Sequence, residues 1–237
     1  MSRHRWEFCL TTFSPNGNLA QVEYAAAAAS KGETSVGIRA RGGVVIATVR
    51  WFESQLVDEK SLSNVKIVSE NIGMTYSGLE PDFRVLADRA RKNAEVYLAK
   101  HKERMPTLEL VKQMGILLQE YTQSCGVRPF GVFLLFAGWE SGRPFLYRID
   151  PSGAYCSFTA AAFGKNAAIG NDYLKSQKCD EMTLDAAIPT AIMALKMGFE
   201  GTMSKHDIEV GVCDEKGFSL LNADTIKLYL NSLSDSK

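Results

Sequence analysis

The sequence predicts an α+β fold, a four-layer αββα sandwich in which two antiparallel sheets face each other between outer pairs of helices. Strand-like runs come in pairs joined by tight turns, and such pairs are antiparallel. Helix-like runs also come in pairs, whereas a parallel sheet would need a single helix between successive strands. The chain has 237 residues, of which 46% are hydrophobic, and this is enough apolar material for a sizeable core.

The first part of the chain predicts an irregular tail, a turn and a helix. Residues 1–12 show no hydrophobic periodicity. Ser14-Pro15-Asn16-Gly17 is typical of a turn, because proline fixes φ and Asn-Gly tolerates positive φ. An alanine run favours a helix over residues 19–30, which Gly32 then ends. A helix this short with so thin an apolar face has to dock on another surface, and its small side chains allow a close approach.

The rest of the chain alternates hairpins with helix pairs. The strands are expected at residues 35–39, 44–49, 66–69, 72–76, 132–138, 145–150, 154–159, 208–214 and 218–221. The helices are expected at residues 81–101, from 106 onward, and at 165–176, 183–199 and 224–233. Because we find neither a linker nor a repeat, we predict one domain over residues 1–237.

Charge and cysteine content exclude several classes of function. Lys plus Arg and Asp plus Glu both number 27, so the formal charge is zero and neither nucleic acid nor a membrane surface is an expected partner. The five cysteines are odd in number, widely spaced and without a CxxC pair, which favours free thiols over disulfides or a zinc site. No signal peptide or membrane span is expected either.

No catalytic or metal motif stands out. Ser204, His206 and Asp207 supply the letters of a serine hydrolase triad, but a triad needs three groups that converge in space. We therefore interpret these residues as ordinary surface groups. HExxH, Walker and GxGxxG motifs are missing from the sequence, so we expect neither a metal nor a cofactor.

Residues 13–25 carry a more specific signal. Their sequence, FSPNGNLAQVEYA, resembles the N-terminal signature of proteasome alpha subunits, which reads aromatic-Ser-Pro-x-Gly-x-Leu-x-Gln-x-Glu-Tyr-Ala, at every fixed position. The resemblance continues through residues 44–47, 76–79, 121–123, 126–132 and 150–153. Within this family, residues 8–15, 128–132 and 209–212 are most similar to the type-2 group of eukaryotic alpha subunits.

The resemblance implies the fold of proteasome subunits, which is a sandwich like that of N-terminal nucleophile hydrolases. It does not imply hydrolytic activity for this chain. In catalytic beta subunits, an N-terminal threonine is activated by its own amine. Here Glu33 occupies the nucleophile's place, and Thr34 lies behind a long extension, so its nitrogen is an amide. Val49 stands where the catalytic pattern has an aspartate, and Lys66 falls near the position of the catalytic lysine. We therefore predict a non-catalytic subunit.

Two other hypotheses stay open at this stage. An active N-terminal threonine hydrolase would have lost every residue before its nucleophile, so the mass of the mature chain separates it from a structural subunit. A free-standing binding protein would be a monomer in solution.

The resemblance also implies partners and a role. Alpha subunits form a seven-membered ring at each end of a barrel, contact beta subunits, and bind regulatory activator complexes. The chain is therefore expected to act in ubiquitin-dependent protein degradation in the cytoplasm and nucleus. The family's tails close the pore, and the residues that match this gate are Trp6, Glu7, Phe8 and Pro15. The usual gate triplet is Tyr-Asp-Arg, so the arginine is missing here.

A second implied site receives the C-terminal tails of activators in pockets between adjacent alpha subunits. The residues that match the family's pocket are Gly17, Glu23, Gly32, Lys66 and Leu79. Lys66 has the clearest physical role, because an ammonium is a compact partner for a terminal carboxylate.

Overall fold

The computed structural model describes residues 9–51, 54, 56–58 and 61–233. Its first half contains α1 (Ala20–Ser30), β1 (Ser35–Ala40), β2 (Gly43–Val49), β3 (Val65–Ser69), β4 (Ile72–Gly78), α2 (Glu80–His101) and α3 (Thr107–Tyr121). Its second half contains β5 (Val132–Glu140), β6 (Arg143–Ile149), β7 (Tyr155–Ser157), β8 (Ala160–Phe163), α4 (Ala167–Ser176), α5 (Leu184–Gly198), β9 (Ile208–Asp214), β10 (Gly217–Leu220) and α6 (Ala223–Ser232). A short 3-10 helix, Cys179–Glu181, precedes α5.

The strands form two five-stranded sheets, as the hairpin pattern predicts. The first sheet has the order β10-β9-β2-β1-β8 and the second β3-β4-β5-β6-β7. Every pair of neighbouring strands is antiparallel. The predicted fold class is therefore confirmed.

Three apolar clusters separate the layers of the sandwich. One lies between the sheets and includes Val44, Ile46 and Leu146. The second joins the first sheet to α4, α5 and α6, and the third joins the second sheet to α2 and α3. Strand β2 contributes to two of them, because its successive side chains point to opposite faces of the sheet. All seven of its residues are buried, which explains why this strand is a continuous apolar run.

The expected strand over residues 154–159 is present as β7, but a further strand, β8, follows it and was not expected. The structure divides this region between the sheets: β7 ends the second sheet, the chain crosses over at Phe158 and Thr159, and β8 ends the first sheet. Strand β8 is mostly alanine, which has little intrinsic preference for strands. It becomes a strand because it pairs with β1, from Ser35 opposite Phe163 to Ile38 opposite Ala160.

Helix α1 sits on the sandwich through contacts between backbones. It packs against β4 and β5, and a Cβ placed on Gly32, just after the helix, would lie 2.0 Å from the nitrogen of Gly78. Gly78 has φ +125°, and a Cβ there would lie 2.2 Å from the carbonyl oxygen of Gly131 and 3.0 Å from Cα of Ala29. Ser77 Oγ also donates a hydrogen bond to the carbonyl of Ala29, at 3.0 Å. Only glycine fits at these two positions.

The loop that carries Gly131 is held by Asp82, in the first turn of α2. The Asp82 carboxylate accepts hydrogen bonds from Arg128 Nη1 and Nη2, at 2.6 and 2.8 Å, and from the Gly131 N–H, at 2.9 Å. Burial acts to raise the pKa of Asp82, but the hydrogen bonds from Arg128 and Gly131 and the charge of Arg128 together hold it below its usual value. The carboxylate is thus ionised at neutral pH and fastens the loop to α2.

We expect Gly78→Ala to destabilise the chain much more than Gly126→Ala does. Both glycines have positive φ, but a Cβ at Gly126 would meet nothing within 4 Å. Gly126→Ala, the control, should therefore lower the free energy of unfolding only by the cost of holding alanine at positive φ, about 1–2 kcal/mol. Gly78→Ala adds a clash with backbone atoms and should cost about 1–3 kcal/mol more. Urea unfolding of the full chain measures the free energy of unfolding of both variants. Equal decreases would mean that the contact between Gly78 and α1 is not tight.

Candidate functional site

Glu33, which the resemblance puts at the position of a catalytic nucleophile, and its neighbour Thr34 lie immediately before β1. They line a cavity of about 220 Å³ together with Val49, Lys165 and neighbouring residues. Thr34 is only 6% exposed, and its hydroxyl donates a hydrogen bond to the carbonyl of Lys165. Its own carbonyl accepts a hydrogen bond from the Val49 N–H, at 2.9 Å. Thr34 is therefore an internal residue whose hydroxyl is already engaged.

Nothing at this cavity reproduces the activation of an N-terminal threonine. Burial raises the pKa of Glu33, an effect that the nearby charge of Lys165 partly offsets. Val49 is buried and apolar, and Lys165 forms an ion pair with Glu200 at 3.3 Å. Lys66 lines a different cavity. A base, a free amine and an accessible hydroxyl have to act together, and the described residues here do not combine them.

The apparent serine hydrolase triad is a loop turn. The Ser204 N–H donates to Asp207 Oδ2 at 2.7 Å, and the His206 N–H donates to Ser204 Oγ at 3.3 Å. The serine and aspartate side chains therefore cap backbone groups of their own loop. The interpretation of these residues as ordinary surface groups is confirmed.

Lys66 lines a cavity of about 420 Å³ beside the start of α2. Glu80 and Arg84, one turn apart on α2, line the same cavity, and Arg84 donates hydrogen bonds to both carboxylate oxygens of Glu80 at 2.7 to 3.1 Å. Lys66 is partly buried and has no ion-pair partner within the described ranges of the chain. The cavity thus contains one ammonium without a paired carboxylate.

The loop that leads to Lys66 is held in place by Glu209 of β9. Its carboxylate accepts hydrogen bonds from Ser63 Oγ at 2.8 Å, from the Asn64 N–H at 2.7 Å and from the Val65 N–H at 3.1 Å. One carboxylate with three donors fixes the loop closely. Glu209 belongs to one of the three stretches that carry the type-2 resemblance.

The structure brings three of the five predicted pocket residues to one region. Gly32 lies against Gly78, Leu79 follows Gly78, and Lys66 shares a cavity with Glu80. Leu79 caps α2 and is 43% exposed.

Gly17 and Glu23 are not brought to that region. They lie toward the other end of α1, since nine residues at about 1.5 Å each separate Glu23 from Gly32 along the chain. Among the predicted gate residues, Pro15 lies in a turn in which the Gly17 N–H donates to the Ser14 carbonyl, at 2.8 Å. Trp6, Glu7 and Phe8 lie outside the described residues.

Sequence reasoning missed Glu80 and Arg84 as neighbours of Lys66. A sequence signal exists for the pair itself, because a glutamate four residues before an arginine at a helix start is a common stabilising arrangement. Nothing in the sequence shows that this pair faces β3, since α2 and β3 meet only in the folded chain.

Metal sites and membrane spans do not occur in the described part of the chain. Its residues contain no cluster of three or more His, Cys, Asp and Glu side chains able to bind a metal ion. No described helix has the length and apolar character that a membrane span requires.

Comparison with known proteins identifies the class to which this fold and N-terminal helix belong. A family model described as "Proteasome subunit" matches residues 29–213, and a second model, which describes the N-terminal signature of the A-type proteasome subunits, matches residues 8–28. The chain therefore belongs to the proteasome subunit family and is of the alpha type.

Individual relatives agree with this assignment. Proteasome subunit alpha type-2 of Drosophila melanogaster is 50% identical over 98% of this chain and 100% of its own length. Proteasome subunit alpha type-2-A of Arabidopsis thaliana is 48% identical over 97% of this chain and 98% of its own. The protein named alpha type-2 from Oryza sativa subsp. indica is 45% identical over 98% of this chain and 100% of its own. The predicted resemblance to type-2 alpha subunits is confirmed.

This assignment determines the coarse function. As an alpha subunit of the proteasome, the chain is a non-catalytic component of a threonine protease complex and assembles with other proteasome subunits. It takes part in protein degradation through that complex. The engaged hydroxyl of Thr34 agrees with this function.

We expect Thr34→Ala to leave peptide hydrolysis by the assembled particle unchanged for each cleavage specificity. The hydroxyl that it removes bonds to the carbonyl of Lys165 and serves only the fold. Thr34→Ser, which keeps a hydroxyl, is the matched control. A selective loss of one cleavage specificity in the alanine variant but not in the serine variant would contradict the non-catalytic assignment.

Proposed function

We propose that the chain occupies a seven-membered outer alpha ring, where it controls substrate entry and docks activator complexes in ubiquitin-dependent protein degradation. Its partners there are other alpha subunits, beta subunits and activators, and it acts in the cytoplasm and nucleus. The observation that carries the proposal is the cavity in which Lys66 faces the start of α2 without a paired carboxylate.

The cavity suits the C-terminal carboxylate of an activator tail. Lys66 supplies a positive charge, and the first turn of α2 adds the positive end of a helix dipole. Leu79 offers an exposed apolar surface next to that turn. Glu80 would repel a carboxylate, but Arg84 neutralises it through a bidentate pair. The balance of charge in the cavity therefore favours an anion.

The proposed ring explains why only part of the predicted pocket converges within one chain. In a pocket between adjacent subunits, one subunit supplies residues from one face and its neighbour supplies the rest. We propose that Gly32, Lys66 and Leu79 serve the pocket on one side of the chain. Gly17 and Glu23, at the other end of α1, would then lie nearer the adjoining surface.

Control of entry is proposed for residues 1–12. Helix α1 is seated through glycine contacts, and the turn at residues 14–17 sets the direction in which the preceding chain leaves it. Trp6, Glu7 and Phe8 would meet other tails over the pore. Since the arginine of the usual triplet is missing, we expect this tail to close the pore through its aromatic groups and Glu7.

Deletion of residues 2–12 should raise hydrolysis of small peptides by the unactivated particle without preventing assembly. The reason is that α1 and its contacts with Gly78 remain intact. Deletion of residues 234–237 at the other end of the chain is the control and should leave basal hydrolysis unchanged. Unaltered basal hydrolysis in the first variant would show that this tail is not part of the gate.

Lys66→Ala should weaken the binding of a single activator tail by roughly ten- to a hundredfold, the value expected for one charge-assisted contact. Several tails bind at once, so stimulation by a whole activator should fall less. The measurement is photo-cross-linking of a tail peptide to this subunit, with the C-terminally amidated peptide as the ligand control.

Two control variants make the result specific. Lys66→Arg keeps the charge and should retain most labelling, while Lys112→Ala removes an exposed charge from α3 and should retain all of it. Equal labelling of the wild type and Lys66→Ala would remove Lys66 from the docking site.

A further inference from the structure

The side chain of Arg148, on β6, lies between the sheets among three phenylalanine rings. The central carbon of its guanidinium is 5.2 Å from the ring centroids of Phe158 and Phe163 and 5.9 Å from that of Phe133. These distances are within the range of cation–π interactions. The rings come from β5, from the crossover between β7 and β8, and from β8 itself.

The guanidinium has aromatic neighbours but no hydrogen-bonding partner at its inner nitrogen. Arg148 Nε is buried and unpaired, and no ion pair joins Arg148 to any residue in the described part of the chain. Burying a charged donor without an acceptor is costly, and such a group points to a missing partner.

Arg148 also forms part of the wall of a cavity of about 810 Å³, which is larger than the two cavities described above. Two other charged residues on this wall already form ion pairs with residues outside it: Asp180 with Arg39 at 3.1 Å, and Lys175 with Asp172 at 2.9 Å. The remaining ones are Lys178, Glu181 and Arg148 itself, so the unpaired charge of the wall is positive. The partner that this cavity lacks is therefore an anion.

The position of the cavity indicates where the anion comes from. It is lined by the crossover that follows β7, by β8 at the edge of the first sheet, by the end of α4 and by the 3-10 helix. All three residues of β7 are exposed. Edge strands carry unpaired backbone groups and are commonly covered by another element or chain. In a protein that assembles with other subunits, a neighbouring subunit is the natural cover.

We propose that a neighbouring proteasome subunit inserts an Asp or Glu side chain into this cavity, where its carboxylate pairs with Arg148. Nε and one Nη would donate to the two carboxylate oxygens, and the phenylalanine rings would hold the guanidinium in place. The inference rests on the proposed ring assembly. It adds that Arg148 helps to determine which subunit binds next to this chain. A charge pair of this kind contributes more to the choice of partner than to bulk affinity.

The first test compares Arg148→Met and Arg148→Lys in cells that also express the wild-type chain. Methionine fills the space among the rings without a charge. Because it removes a half-buried guanidinium whose Nε is buried and unpaired, it should leave the thermal stability of the full chain equal or higher. In assembled particles, however, the methionine variant should be under-represented by about tenfold relative to wild type. The lysine variant should be incorporated nearly normally.

Arg143→Met is the matched control, because Arg143 is exposed on the same strand and does not line the cavity. It should be incorporated like the wild type. Normal incorporation of Arg148→Met would overturn the inference while leaving the ring proposal intact. Failure of the wild-type chain itself to enter particles would instead refute the ring assembly.

The second test identifies the partner. Arg148→Lys places an amine at position 148, and a zero-length carbodiimide couples amines to carboxylates in contact with them. Mass spectrometry of the treated particles should find a cross-link from position 148 to an Asp or Glu of another subunit. A cross-link to Glu181 or Asp180 of the same chain would overturn the inference. So would the lack of any cross-link from position 148 in particles whose other subunit contacts are cross-linked.

Discussion

The contact among the backbones of Ala29, Gly32, Gly78 and Gly131 is the constraint on which the rest of this structure depends. It seats α1 on the sandwich at distances that no side chain could occupy. The same contact lies next to the start of α2, where Glu80 and Arg84 share a cavity with Lys66 of β3. Asp82 keeps the contact closed, because it fastens the loop of Gly131 to the first turn of α2.

This arrangement also explains how a fold shared with hydrolases lacks their chemistry. A catalytic relative needs a free amine at the start of β1, whereas here α1 and Gly32 precede that strand without interruption. Thr34 lies immediately before β1, and its hydroxyl donates a hydrogen bond to the Lys165 carbonyl. Helix α1 packs against β4 and β5, and the chain runs from it through Gly32 and Glu33 into β1.

Two regions contain positive groups without an acidic partner among the described residues: Lys66 on β3, beside the start of α2, and Arg148 on β6, beside the crossover to β8. Their surroundings differ in a way that bears on their roles. Lys66 lies in a mainly polar cavity beside a helix start, which suits a flexible tail with a terminal carboxylate. Arg148 lies among aromatic rings that fix its orientation, which suits a single side chain delivered in one geometry.

Much of the fold could be predicted from local pattern. Period-2 and period-3.6 hydrophobicity located most of the strands and helices, and the tight turns required antiparallel sheets. The one strand of the described structure that the sequence did not predict, β8 at Ala160–Phe163, is rich in alanine and has no local strand signal. Only its pairing with β1 makes it a strand. The sequence also did not predict Glu80 and Arg84 as neighbours of Lys66, because α2 and β3 are separate elements that meet only in the folded chain.

The sequence by itself determined the class of the protein and the loss of catalysis. The class follows from the signature at residues 13–25, and the loss of catalysis from what that resemblance implies, with Glu33 and Val49 in place of the reactive groups and an extension ahead of Thr34. The tertiary structure alone decided which side chains share a cavity and which charges lack a partner. Those properties depend on how β3 meets α2 and how β6 meets β8, and such contacts between distant segments leave no periodicity in the sequence.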